Sequence, residues 1–323
     1  MYFRRRHRWN LRPKSGGDGG VDNLVAFVSC SQHAKVYTTT RTMTRKLPTV
    51  GPSEGQHQSS ATALSPSQQN AGHPLTPRAN SSSTTRSKPT YVVTGANRGI
   101  GLGLAKALAH HGHVIGTARN PSAADELKSI PNVTVLTLDV SSKESITDFA
   151  EELAKVAPHG IDMIWNNAGM SAVKFNVTDD KIDDETWLHQ LAVNAVGPTL
   201  VTNAVLPLLR KGYKQDISQD RKVVFTSSIC GSVASTTGKG AGCAYFSSKA
   251  ALNSTVKFWH ASLAEEGFVV VPIHPGWVRT DMGGPEGAIT VEESVAGMLK
   301  VVSSLKAEDE LKLRVYDGSV LPW

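Results

Sequence analysis

The chain has 323 residues, of which 40% are hydrophobic, 19% charged and 6% aromatic, enough apolar material for one large domain or two small ones and too much for a chain disordered throughout. Its three cysteines, Cys30, Cys230 and Cys243, form no CxxC pair and no even-numbered framework, which argues against a disulfide scaffold and a structural zinc module; without an uninterrupted run of about 18 apolar residues, a membrane-spanning helix is not expected either. The net charge of +6 is unevenly spread: residues 1–88 hold 13 basic and 3 acidic groups, and the remainder holds 21 basic and 25 acidic.

In chain order, residues 1–88 read as a basic tail rich in Ser, Thr and Pro, with too few apolar groups to offset the entropy of ordering it. Its Arg-rich, acid-poor composition fits a mitochondrial transit peptide, although the arginines crowd into the first twelve residues and no amphipathic helix follows. Translation starting at Met43 and a functionless extension are the competing readings. Cytoplasmic localisation is the expectation, with mitochondria the alternative should the tail be a targeting signal. Its basic character alone does not make it a nucleic-acid binder, because aromatic interleaving and a recognisable fold are missing.

From Thr90 the pattern changes. Strands are expected at 91–93, 113–117, 133–138, 161–165, 222–226, 268–274 and 313–315. Helices are expected at 100–111, after the N-cap pair Ser141-Ser142, and at 184–210, 245–266 and 291–302. Strands alternating with helices of this length imply a parallel sheet covered on both faces, a doubly wound α/β domain over residues 89–323.

The first strand runs into Thr94-Gly95-Ala96-Asn97-Arg98-Gly99-Ile100-Gly101. Glycines at 95, 99 and 101 between a strand and a helix allow close backbone approach to a pyrophosphate, whose charge the helix N-terminus stabilises. An NAD site usually carries an acidic residue at the end of the second strand. Here that strand ends Gly116-Thr117-Ala118-Arg119, and the planar guanidinium of Arg119 suits a 2′-phosphate. Arg98, inside the turn, adds a second cation. Both also fit ordinary surface arginines, but two cations without an acid favour NADPH over NADH.

Four motifs follow in order: Asn166-Asn167-Ala168-Gly169, Asn194 in Val193-Asn194-Ala195-Val196-Gly197-Pro198, Ser227-Ser228, and Tyr245-Phe246-Ser247-Ser248-Lys249. With these the sequence resembles the short-chain dehydrogenase/reductase family over about residues 90–323. The stretch from His274-Pro275-Gly276-Trp277-Val278-Arg279-Thr280 and the closing Asp317-Gly318-Ser319-Val320-Leu321-Pro322-Trp323 narrow this to the C-factor and sniffer-type carbonyl reductases. The resemblance implies an NADP-dependent oxidoreductase acting on a small carbonyl or alcohol, a homo-oligomer by default, and no nucleic-acid, membrane or metal partner. It assigns cofactor contacts to Ile100, Asp139, Val140, Asn167, Ala168, Gly169, Pro275, Gly276, Val278 and Thr280. Asp139 also fits a helix-start carboxylate just before Ser141-Ser142.

The reactive chemistry is arguable from the residues themselves. Tyr245 and Lys249 are four apart on a helix and share a face. A free phenol has a pKa near 10, and lowering it by about 3 units takes roughly 4 kcal/mol; the Lys249 ammonium is expected to contribute to that. Tyr245 would then act as general acid or base, with Ser228 stabilising charge on the substrate oxygen. Ser227 is the alternative, since alternate strand residues face opposite ways. Ser228 is preferred because Gly231 follows it by three, as in the family pattern. The resemblance adds a role for Lys249 on the nicotinamide ribose and for Asn194 in a water-mediated relay to Lys249. A catalytically silent NADP(H)-binding regulator acting through a partner is the competing function. Cys230 and Cys243 bracket the active-site loop and read as buried structural thiols.

Overall fold

The computed structural model describes residues 88–172, 177–179, 183–215, 221–238 and 242–323. The three readings of the tail therefore lie outside the described residues.

Seven parallel strands form the sheet: β1 (Thr90–Val93), β2 (His113–Ala118), β3 (Val133–Thr137), β4 (Met163–Asn166), β5 (Arg221–Thr226), β6 (Phe268–His274) and β7 (Leu313–Val315). An antiparallel edge strand, β8 (Val320–Leu321), pairs with β7. The order β3-β2-β1-β4-β5-β6-β7-β8 reverses direction between β1 and β4. In a doubly wound sheet that reversal opens a crevice at the carboxyl ends of the strands, where ligands bind.

The helices are α1 (Gly99–Ala109), α2 (Asp125–Lys128), α3 (Lys143–Val156), α4 (Asp184–Leu191), α5 (Gly197–Gln215), α6 (Cys243–Leu263) and α7 (Val291–Ser304). Alternate strand residues feed opposite faces, and each face has its own core. On one, Val92, Ile164, Val223 and Phe225 pack with Phe149 and Leu153 of α3, Val205 and Leu209 of α5, and Leu252 and Val256 of α6. On the other, Val93, Trp165, Val224 and Val271 pack with Leu104 and Leu108 of α1 and Val295, Met298 and Val302 of α7. β6 is buried from Phe268 to Ile273, as a strand covered on both faces must be.

Local signals explain several boundaries. Ser142 caps α3 by accepting from the Ser145 amide. Thr290 and Glu293 form a reciprocal capping box at the start of α7, satisfying two backbone donors that helix geometry leaves unpaired. At the amino ends of the strands, buried Arg221 pairs with Asp162 at 2.9 Å and donates to the Gly212 carbonyl. The other Asp162 oxygen accepts from the Thr90 amide at 2.7 Å, so one ion pair ties β1, β5 and the end of α5 together.

One expectation is corrected and two short elements are added. The expected helix at 184–210 is three pieces: α4, a π-helical turn at Ala192–Val196, and α5. Apolar periodicity does not register the extra residue such a turn absorbs. β8 and the four-residue α2 escape the sequence reading because each is too short to display a period. The helical stretch Asp184–Gly212 is also apolar enough by length and composition to cross a membrane, a point that a search for uninterrupted apolar runs misses, but half of its most apolar window is buried inside the fold. Val201, Val205 and Leu209 lie in the core, so its apolar character is accounted for by packing.

Candidate active site

The glycine turn is as tight as its sequence implies. Gly95 and Gly99 have φ of +62° and +53°, a region that favours glycine. A Cβ on Gly101 would stand 2.1 Å from the Gly95 carbonyl oxygen. No side chain caps α1 at Arg98, so its first backbone N–H groups are left to an anion or to water. The turn is braced from β4. The Thr94 hydroxyl accepts from the amides of Asn167 and Ala168, each at 2.9 Å, and the Asn167 side chain donates to the carbonyls of Thr94 and Gly95. Asn167 and Ala168, assigned to the cofactor by resemblance, here hold the shape of the glycine turn.

The arginines differ in their surroundings. Arg98 is exposed and pairs at 2.9 Å with Asp281, in the loop after β6. Gly99 also faces that loop, since a Cβ built on it would meet the Thr280 methyl at 3.4 Å. Arg119 is exposed beyond the end of β2. Asp139 accepts from the Ser141 amide and hydroxyl, the helix-start role held open for it. Burial works to raise its carboxyl pKa, but those hydrogen bonds and the charge of Arg119 outweigh it and hold the group below its ordinary value. The Val140 side chain is buried in the core.

The reactive side chains gather at the carboxyl end of β5. Ser227 and Ser228 leave β5 in opposite directions. The Ser227 hydroxyl donates to Asn253 of α6 at 2.5 Å, whereas Ser228 accepts from the Cys230 amide and stands near enough to the Tyr245 phenol to oppose the rise in its pKa. Lys249 is buried, lies with its Nζ 5.9 Å from the centre of the Tyr245 ring, and donates to the Thr226 carbonyl at 2.8 Å. Asn194 sits in the π-helical turn, fully buried. Its amide accepts from the Met170 N–H and donates to the Met170 carbonyl and to the Ser248 hydroxyl. A Cβ on Gly169 would lie 3.3 Å from Asn194 Oδ1 and 3.8 Å from Lys249 Nζ, so Gly169 lies beside both side chains.

The electrostatics correct one expectation. Burial pushes the Tyr245 phenol up to about 12, with Cys230 adding to the rise and the nearby Ser228 hydroxyl opposing it. Burial pushes Lys249 down to about 8. Desolvation disfavours the charged form of both groups, and in the chain by itself it outweighs the lowering expected from the ammonium.

At the far wall, Gly276 has φ +86°, and a Cβ there would meet Ile289 and Tyr316 within 3.0 Å. Pro275 is anchored through its carbonyl, which accepts from the buried Ser294 hydroxyl of α7 at 2.6 Å. The buried Val278 and the Thr280 hydroxyl, which accepts from Gly283, shape the following loop.

A family model described as short chain dehydrogenase matches residues 89–288. The chain belongs to the short chain dehydrogenase family. An uncharacterised oxidoreductase of Schizosaccharomyces pombe is 40% identical over 256 residues, covering 72% of this chain and 97% of that one. Among solved structures, the carbonyl reductase Sniffer of Drosophila melanogaster superposes with a TM-score of 0.68 at 32% identity, over 74% of this chain and all of that one. An NADPH-bound carbonyl reductase from chicken fatty liver gives the same TM-score and identity over 73% and 95%. The short-chain dehydrogenase resemblance read from the four motifs is thus borne out, as is the Rossmann-like sheet.

Sequence reasoning passed over several residues around this short-chain dehydrogenase site. Thr94 was legible in principle as the residue before the first glycine, but its clamp on Asn167 is a contact across 73 positions. Asp281, Thr226 as the seat of Lys249, and the buried Gln190 carried no local signal.

Proposed function

We propose that this chain is an NADPH-dependent oxidoreductase that interconverts a carbonyl and an alcohol, with Tyr245 as its general acid. The observation that carries the reading is the convergence of Ser228, Tyr245 and Lys249 at one end of β5, beside the crevice where the strand order reverses. The residues fit the dinucleotide: the glycine turn leaves no room for a Cβ at Gly101, and α1 starts without a side-chain cap. Arg119 and Arg98 supply cations for a 2′-phosphate, and the resemblance to an NADPH-bound carbonyl reductase supports the same cofactor.

The dinucleotide, when bound, supplies hydride chemistry; the chain's own residues handle the proton and the charge. Ser228 stands beside the phenol, and its hydroxyl is suited to donate to a carbonyl oxygen as negative charge builds on it. Tyr245 holds its proton at neutral pH, the form that carbonyl reduction uses. The reverse reaction needs the phenolate, which with a pKa of about 12 costs roughly 7 kcal/mol at pH 7 unless bound ligands offset it. Lys249, held by Thr226, and Asn194, holding Met170 and Ser248, keep the ground beneath Tyr245 rigid.

Purified protein is expected to oxidise NADPH, and NADH more slowly, when offered a panel of ketones, aldehydes and quinones. Tyr245→Phe should lower kcat by about 10³-fold or more, at the upper part of the range for a single acid, while NADPH still quenches tryptophan fluorescence. No turnover with any carbonyl or alcohol, with NADPH binding intact, would discard the reductase reading in favour of a silent dinucleotide-binding regulator.

A further inference from the structure

One face of α4 and the turn that follows carries Trp187, Gln190 and Asn194, spaced by three and four residues, so their side chains project together. The Trp187 indole N–H donates to the Ser247 hydroxyl at 2.9 Å, and Asn194 donates to the Ser248 hydroxyl at 3.0 Å. Ser247 and Ser248 are the two residues of α6 immediately before Lys249. Between these contacts lies Gln190, a fully buried amide. Its Oε1 accepts from the Ala172 N–H at 3.2 Å, while its Nε2 has no partner among the described residues.

Gln190 and Asn194 therefore hold one segment. Asn194 takes the Met170 N–H and carbonyl, and Gln190 takes the Ala172 N–H. That segment begins at Gly169, whose backbone runs beside Lys249 Nζ and Asn194 Oδ1. A buried amide whose Nε2 finds no partner among the described residues is costly to keep. A hydrophobic side chain would fill such a place on a buried helix face without that cost but would leave the Ala172 N–H unpaired.

We propose that Gln190 is a positioning residue: with Asn194 it fixes the 169–172 segment against Lys249, and so holds the lysine in register with Tyr245. The proposal rests on the reductase reading for its kinetic consequence and on the hydrogen bonds alone for its structural one. It predicts that the loss falls on kcat rather than on dinucleotide binding, because Gln190 grips the segment beyond Gly169, away from the glycine turn braced by Thr94 and Asn167.

The test compares wild type, Gln190→Met and Gln190→Glu in the full chain. Methionine is close in size and removes the acceptor, whereas glutamate keeps an acceptor for Ala172. Gln190→Met is expected to lower kcat about tenfold with the NADPH dissociation constant changed less than twofold, to displace the pH profile of kcat, and to speed amide exchange at Met170 and Ala172. Gln190→Glu should recover most of kcat and slow exchange again. A folded Gln190→Met with kcat and its pH profile within twofold of wild type overturns the proposal, as does equal loss in both variants. Should wild type itself turn over no carbonyl, the reductase reading fails. Exchange then decides the structural part: faster exchange in Gln190→Met sustains the positioning role, and unchanged exchange ends it.

Discussion

Tyr245 and Lys249 are moved by the same force in opposite directions. Desolvation takes the phenol up to about 12 and the ammonium down to about 8, so the pair lies closer to neutrality than either group would in water. Spacing on a helix foretells that the two meet; how much water surrounds them is set by the strand ends and loops packed above. His274, at the end of β6, obeys the same logic. Burial lowers its pKa to about 4, against a smaller upward pull from Asp317. A histidine depressed in the folded state binds fewer protons than in the unfolded chain between about pH 4 and 6.5, so stability is intact above that window and lost as the pH falls through it. Going from pH 7 to pH 5 should cost about 2 kcal/mol through this one group. Urea unfolding of wild type and His274→Gln at both pH values checks this: the variant should lose distinctly less, and parallel losses would show that other groups carry the acid limb.

At the scale of elements, most boundaries follow from local chemistry. The β6 and β7 ranges are met residue for residue, because β6 is a largely apolar run and β7 is a short segment whose buried Leu313 and Val315 flank Arg314 before a turn. The capped starts of α3 and α7 follow from Ser142 and Thr290. The π-helical turn at Ala192–Val196, just before Gly197-Pro198, was not legible, because an apolar period does not register the one extra residue such a turn absorbs. The Arg221–Asp162 pair is another feature of assembled elements. Alanine at 221 would leave Asp162 without its buried cation, and breaking such a pair by removing one partner costs about 3 kcal/mol. Arg221→Ala should therefore lower the urea midpoint strongly while the NADPH dissociation constant of the surviving folded protein stays within about twofold, because the pair lies at the end of the strands opposite the glycine turn. Weakened NADPH binding at unchanged stability would contradict this division of labour.

For the whole molecule, the +6 charge divides into a basic first quarter, with too few apolar groups to build a core, and a mildly acidic remainder; among the described residues, strands and helices of the α/β domain supply both core clusters. Removing residues 1–87 is expected to change unfolding free energy by less than about 0.5 kcal/mol, the range for changes away from packed features, and to leave the NADPH dissociation constant unaltered at low and high salt. A larger drop in either would mean that the tail packs on the domain or steers its ligand. The sequence by itself determined the alternation of strands and helices, the glycine turn, the identity of Tyr245 and Lys249 as a helical pair, and the family, because each is written in spacings of a few residues. Only the tertiary structure decided which serine faces the phenol, which way desolvation moves the reactive pair, that Arg98 meets Asp281, and that Gln190 grips the chain beside Lys249. Those depend on contacts between positions tens to nearly two hundred residues apart, made only once the sheet has brought its strand ends to one edge.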